Sequence, residues 1–445
     1  MIYWIIGFQV VFAVGGAVEP KVEVEEIVTQ YAPADNGAGP MWCYGSTVIG
    51  RIGNHVFLSV IETGKDVPPL CNTRWQLWVR PDSGPWKLVQ QEQDYRQREP
   101  CPIGVDPGGK IFLSVNPSTQ PVGTKYGPCK PMVLVFDAID PASPYESQEP
   151  VWAPGTRFTD HSYRGFSADG KTGELLLLNI HSESGDQFVS YRNRQGQWQA
   201  KGSIHFPIRS CYPQVLLKDK AAYVLAIGDI VEPNEDWKKL KFEKTKSQWD
   251  YVFRRLFYTW TPDIETVPFA EPIEIDTVEQ TAGHITNLDL AVDESGTVQV
   301  LYLRQPHHYD FIRDKYFPGE PMTVMLELLI VRNGKVVGKR TTAERTGSEG
   351  LRPSYGRFHT DSKGKQWIVA AGWIRKVGKE TFGNFLMDCD EQENATIQPI
   401  VLTHPFGSFF TATTRGGTQP SDTIDLFGIA DDNPNLRYAR IKLNR

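Results

Sequence analysis

The chain has 445 residues, 40% apolar and 22% charged, with 39 glycines and 32 prolines. That balance excludes a disordered or fibrous chain, and the surplus of turn formers favours an all-β fold over a helical bundle. A formal charge of −6, spread along the chain, argues against a nucleic-acid binder, which needs a basic face to neutralise phosphates.

Ile2 to Val14 is a strongly apolar run, broken by Gly7 and Gln9. It is shorter than the ~20 residues that span a bilayer. Gly15 and Ala17 stand at the −3 and −1 positions of a cleavage before Val18, so residues 1–17 read as a signal peptide and the protein as secreted or periplasmic. No Lys or Arg precedes the run, and a buried N-terminal strand is the other reading. No later stretch reaches membrane length. The six cysteines, Cys43, Cys71, Cys101, Cys129, Cys211 and Cys389, permit disulfides or buried thiols. None sits in a CxxC, so zinc is not signalled.

One pattern then repeats: a turn rich in Gly, Asp or Asn, followed by a short apolar strand. The predicted strands are Val56–Val60, Ile111–Val115, Leu175–Ile180, Ala222–Ile227, Val298–Leu303, Trp367–Ala371 and Thr423–Ile429. Their turns include Asp106-Pro-Gly-Gly, Ala168-Asp-Gly-Lys, Asp293-Glu-Ser-Gly and Asp361-Ser-Lys-Gly, which suit positive φ. Second hairpins recur at Trp75–Arg80 with Trp86–Gln90, Phe188–Asn193 with Gln197–Ile204, Leu256–Thr261 with Ile273–Ile275, and Leu326–Val331 with Val336–Thr341. Length alone suggests about three domains of ~150 residues. Seven units of roughly sixty residues, against the ~40–50 of a compact blade, point instead to one seven-bladed β-propeller over residues 18–445. A β-sandwich pair or a β-helix is the competing architecture. The helical exception is a Lys/Glu-rich insertion around Asn234–Gln248, either a lid or a surface loop.

In a ring, the loops of one rim build a central site. His161 precedes the strand of unit three and His181 follows it, so both imidazoles can face one rim or serve as structural histidines. Arg209-Ser-Cys-Tyr212-Pro leads into unit four. Proline after Tyr212 is expected to hold that residue extended, with its phenol at the axis or packed between blades. Arg254, Arg255 and Tyr258 lie on the strand after the insertion, with Arg254 and Tyr258 on one face and Arg255 on the other. His284 and His359 lead into units five and six. His307-His308-Tyr309 reads as a loop feature. Gly165-Phe-Ser-Ala-Asp-Gly170-Lys171-Thr172 spells a P-loop, but a turn and a strand follow it where a helix is required. No pair of carboxylates stands out as a glycosidase couple.

His can abstract a proton, Tyr can donate or accept one, and Arg can neutralise a carboxylate. That set suits β-elimination on a uronic acid without a cofactor. The seven-unit pattern, the histidines of unit three, Arg-x-x-Tyr-Pro at unit four and a later Arg-bearing strand resemble the seven-bladed, BNR-repeat-like propeller polysaccharide lyases. Those include ulvan lyases and lyases of rhamnosyl-glucuronate linkages. Gly39-Pro-Met-Trp-Cys-Tyr-Gly-Ser46 and Cys71-Asn-Thr-Arg-Trp75 resemble the rhamnose–glucuronate branch. The resemblance implies catalysis by His161, His181 and Tyr212. It implies that Arg209 and Arg255 or Arg254 hold the carboxylate of an acidic polysaccharide, with His284 nearby; Tyr258 and His359 are further candidates for substrate binding, and a monomeric protein is expected. The insertion stretches the spacing between Tyr212 and Arg254. No His stands beside Trp42-Cys43-Tyr44, as the opposite-face rhamnosidases of that branch would need. A propeller glycoside hydrolase of α-L-rhamnosidase or sialidase type, and a glycan-binding propeller without catalysis, are the alternatives.

Overall fold

The computed structural model describes residues 18–42, 45–345, 350–376, 379–390 and 397–444. The expected signal peptide and Cys43 lie outside them. Seven four-stranded antiparallel sheets form the blades of a propeller, as the repeat predicts. The innermost strands are Ile49–Ile52, Ile103–Val105, Gly165–Ala168, Ser210–Lys218, His284–Val292, Gly350–Thr360 and Phe406–Thr411. Each touches the next, and the last touches the first, so the ring is closed.

The seven apolar runs of the sequence are the second strands of the blades. They read as continuous apolar runs because neighbouring blades cover both of their faces. Leu175–Ile180 is buried at every position, and each such leucine contributes about 1.5–3 kcal/mol. The fourth strands face water and become polar, as in Lys335–Glu344. The four predicted second hairpins are all present as third and fourth strands. The repeated turns are built alike. Asp293 Oδ1 accepts from the amides of Ser295 and Thr297, and Gly296 has φ +78°. Asp361 Oδ1 accepts from those of Lys363 and Lys365, and Gly364 has φ +80°. The P-loop spelling falls on the strand Gly165–Ala168 and its turn, with no helix after it.

Closure comes from a segment the repeat does not reveal. Glu19–Gln30 pairs antiparallel with Asn435–Asn444 and becomes the outer strand of blade seven. Its alternation Lys21-Val-Glu-Val24-Glu suits an outer strand with one wet face. The hub is plugged. The segment between Thr411 and Thr423 crosses the axis, where Arg415 pairs with Asp289 at 2.8 Å, both buried. Gly417 has φ +84°, and a Cβ there would lie 1.8 Å from the Val105 carbonyl, so only glycine fits. The plug separates one rim, where innermost strands begin, from the other, where they end.

Candidate functional site at the rim of blades three to five

His161 and Tyr163 lie just before the innermost strand of blade three. The amide of Ile180 donates to Ser162 O at 3.0 Å, which sets His181 on the adjoining segment of the same rim. Tyr212 lies within the innermost strand of blade four, and His284 opens that of blade five. Tyr163 and Tyr212 both have left-handed backbones, with φ +40° and +50°. The extended conformation expected of Tyr212 is therefore corrected. A bulge between Cys211 and Gln214 turns the chain. Asn287 Nδ2 holds the Tyr212 carbonyl at 2.9 Å, and Gly45 packs where any Cβ would lie 2.5 Å from Pro213 O. Each such residue costs about 1–3 kcal/mol, and such strain gathers at functional sites.

The side chains of this rim form one cluster. The His161 ring stacks on Tyr163 with centroids 4.7 Å apart. Tyr163 meets Tyr212 edge-on at 4.9 Å, and Trp42 meets Tyr212 edge-on at 5.4 Å. His161 Nδ1 lies 3.3 Å from Glu99 Oε1. Glu99 is buried and also accepts from the Ser162 amide at 3.2 Å and hydroxyl at 2.5 Å. Burial alone would raise the Glu99 pKa, but its bond to His161 and the charges of His161 and Arg164 hold it down to about 2. A carboxylate there favours a proton on Nδ1 and leaves Nε2 for a ligand. The imidazole side chain is 38% exposed.

Arg209 pairs with the buried Asp229, and its guanidinium lies 5.4 Å over the Tyr163 ring. Burial works against its charge, but Cys211, Asp229 and Tyr163 raise its pKa above the ordinary arginine value. Its side chain is 36% exposed. His181 is half-buried, accepts from the Ser184 amide at 3.2 Å and lies 5.3 Å from Phe188. His284 stacks on His308 at 4.6 Å and meets Phe253 at 5.8 Å. Burial, the nearby His308 and Arg254 push the His284 pKa down to about 3, and burial and Arg254 push that of His308 to about 4. Both rings are therefore neutral at neutral pH.

Three expected site residues, Arg255, Tyr258 and His359, lie elsewhere, and Arg254 stands beside His284 with its charge engaged. Arg254 is buried on Glu232, reaches Glu279 at 3.3 Å and covers the Trp237 ring, so its charge is already matched. Arg255 pairs with Glu274 on the neighbouring fourth strand. Tyr258 is 1% exposed in the core between blades, where burial raises its pKa. His359 is buried near the end of its innermost strand, on the opposite rim, with Nε2 2.7 Å from Ser421 O. Conversely, Glu99, Tyr163, Asp229 and His308 belong to the rim and were not anticipated. His161-Ser-Tyr163 carries a faint signal, two aromatic rings two residues apart. Glu99 is sixty-two positions from its partner, and nothing local marks it.

No family model and no curated protein matches the sequence. The fold is that of solved propeller polysaccharide lyases. The lyase Uly1 aligns over 95% of this chain and 99% of its own, with TM-score 0.56 and 12% identity. A PL25 ulvan lyase bound to -[GlcA(1-4)Rha3S]- aligns over 93% of this chain and 94% of its own, with TM-score 0.55 and 9% identity. The resemblance read from the sequence thus holds at the level of the seven-bladed fold. Among the described residues no helix is long and apolar enough to cross a membrane.

Proposed function

We propose that the protein is a secreted polysaccharide lyase that cleaves a uronic-acid-containing glycan by β-elimination at the rim of blades three to five. The observation that carries this reading is the contact set of His161, Tyr163, Tyr212 and Arg209, with Glu99 buried behind the imidazole. The fold it shares with the ulvan lyases supports it.

In this reading Arg209 binds the uronate carboxylate and stabilises the charge that develops beside it. One of His161 and Tyr212 takes the C5 proton. The electron pair forms the C4–C5 double bond, the C4–O bond breaks, and the other residue returns a proton to the leaving oxygen. Glu99 positions the imidazole. The carboxylates at this rim argue against hydrolysis. An ordinary glycosidase uses a carboxylic acid that still carries its proton, whereas here Glu99 is engaged by His161 and Ser162 and Asp229 by Arg209.

Incubation with ulvan or gum arabic tests the proposal. A lyase releases an unsaturated uronyl end that absorbs in the ultraviolet. Reducing ends without that absorbance would mean a hydrolase, and neither product would mean a binding protein.

A further inference from the structure

Blades one and two meet at a pair of thiols. Cys71 lies just before the third strand of blade one, Thr73–Arg80, and Cys129 just before that of blade two, Met132–Asp137. Both are buried. The backbone brings them together. The Leu70 amide donates to Lys125 O at 3.4 Å, and a Cβ on Gly123 would lie 3.3 Å from the Pro68 ring. On its other side the Cys129 segment is bound to blade three. The Cys129 amide donates to Phe158 O at 2.9 Å, Pro128 bridges to Thr159, and Asn116 Nδ2 holds Thr159 O at 2.9 Å. Cys129 therefore stands between the loop of Cys71 and the segment that leads into His161.

The five described cysteines are thiols, and they are not equivalent. Burial is the main influence on Cys101, Cys211 and Cys389, and it raises their pKa values. For Cys71 and Cys129 the main influence is the other thiol. A hydrogen bond between them lowers the pKa of Cys71 and, with burial, raises that of Cys129. The Cys129 thiol is thus the donor and the Cys71 sulfur the acceptor, the more readily ionised of the two. Cys129 also lines an open groove of about 690 Å³ beside Pro128, Trp152 and Arg157, wide enough to admit a small molecule.

We propose that Cys71 and Cys129 are a disulfide site, whose bridge ties blade one to blade two and holds the segment that carries His161. The oxidant is a small-molecule disulfide such as oxidised glutathione. One cysteine thiolate attacks its sulfur–sulfur bond and one glutathione leaves. The second cysteine attacks the mixed disulfide, the Cys71–Cys129 bond forms, and the second glutathione leaves. The two cysteines lose two electrons, the glutathione disulfide gains them, and the two cysteine protons end on the two glutathione thiols. The bridge closes a loop of about 60 residues, long enough to restrict the unfolded chain. It stands independently of the lyase reading, because its test uses no substrate.

The full chain, purified reduced and then held in excess oxidised glutathione, tests it by peptide mapping after alkylation. The peptides carrying Cys71 and Cys129 should appear as one linked species that dithiothreitol separates, while Cys101, Cys211 and Cys389 remain alkylated. Dithiothreitol should lower the melting temperature of the oxidised protein by about 2–5 °C, and it should leave that of Cys71→Ser unchanged. Amide exchange in residues 158–163 should be slower in the oxidised than in the reduced protein, and Cys71→Ser should show no such difference. Cys71 and Cys129 still alkylated, glutathione left on either, or Cys129 linked to another cysteine overturns the site. A linked pair that changes neither melting nor exchange overturns the brace. The mapping needs no variant, so a poorly folded Cys71→Ser does not spare the proposal.

Discussion

The two mouths of the plugged hub are made of the same strands and differ in what those strands leave unsettled. Where the innermost strands end, the charged groups are matched in pairs. His359 is bonded to Ser421, Lys171 faces Asp219 and Glu294, Lys218 faces Glu294, and Asp turns repeat in regular form. Where they begin, in blades three to five, two tyrosines hold left-handed backbones, an imidazole is partly exposed in front of a buried carboxylate, and an arginine side chain is partly exposed. Left-handed residues occur at both mouths, Asp219 and Lys220 at the far one, but only at the near one do they adjoin a partly exposed imidazole and arginine, as expected where a structure gives up stability for function.

The sharpest way to break this contrast is to remove the phenol. Tyr212→Phe keeps the ring that packs on Trp42 and Tyr163 and deletes only the hydroxyl. Turnover of a uronate polymer, followed by ultraviolet absorbance, should fall by about 10²–10⁴-fold, with the melting temperature little changed. Near-normal turnover would take Tyr212 out of the mechanism and leave the strained rim without its chemistry.

Glu99→Gln comes next. Glu99 touches no substrate in this reading, so it is a positioning residue. The amide keeps the shape but loses the charge that orients His161, and kcat should drop by about 10²-fold with KM nearly unchanged. Equal changes in kcat and KM, or a loss that merely follows unfolding, would reduce Glu99 to a structural role.

How far the sequence could carry these expectations depends on whether the cause is local. The blades were legible because each second strand is apolar at successive positions and each turn carries its own Asp and Gly. Leu175–Ile180 and Asp293–Gly296 announce themselves within six residues. The outer strand Glu19–Gln30 was missed because its partner lies at the other end of the chain, 405 positions away for Gln30 and Asn435. His161, Tyr212, Arg209 and His284 lie at one rim, as expected, because residues at the starts of innermost strands must face a rim. The pairing of Arg254 and Arg255 was not legible, because strand parity tells which face a side chain takes but not whether a carboxylate waits there. Glu232 and Glu274 do wait there, supplied by the insertion and by the next strand. The backbone of Tyr212 was misread for the same reason: Pro213 argues locally for extension, and Asn287 and Gly45 overrule it from a distance.

Acid should destabilise the near mouth through its buried histidines and Glu99. His284 and His308 are neutral when folded, with pKa values near 3 and 4 against the ordinary 6.5. Below pH 6.5 the unfolded chain binds more protons than the folded one, so stability falls as pH drops toward 4 and then 3. Glu99 has the opposite chemistry but the same sign. Its folded pKa of about 2 lies below the ordinary 4.5, so its contribution is present above 4.5 and is lost as pH falls toward 2. Melting temperatures should therefore decline in two stages. His308→Gln should flatten the first stage, between pH 6.5 and 4, and leave the second. An unchanged first stage would mean that the stacked imidazoles do not remain neutral when the chain folds.

The smallest effect is expected at the other mouth. His359 is buried, its pKa is lowered by burial against the pull of its bond to Ser421, and its other ring nitrogen has no protein partner among the described residues. His359→Leu should cost about 1–3 kcal/mol, because the Ser421 carbonyl loses its donor. It should leave kcat and KM on a uronate polymer where they are, because the Arg415–Asp289 plug stands between this histidine and the rim. A loss of turnover larger than the loss of folded protein would place chemistry on both faces of the hub, and the division drawn between them would have to be given up.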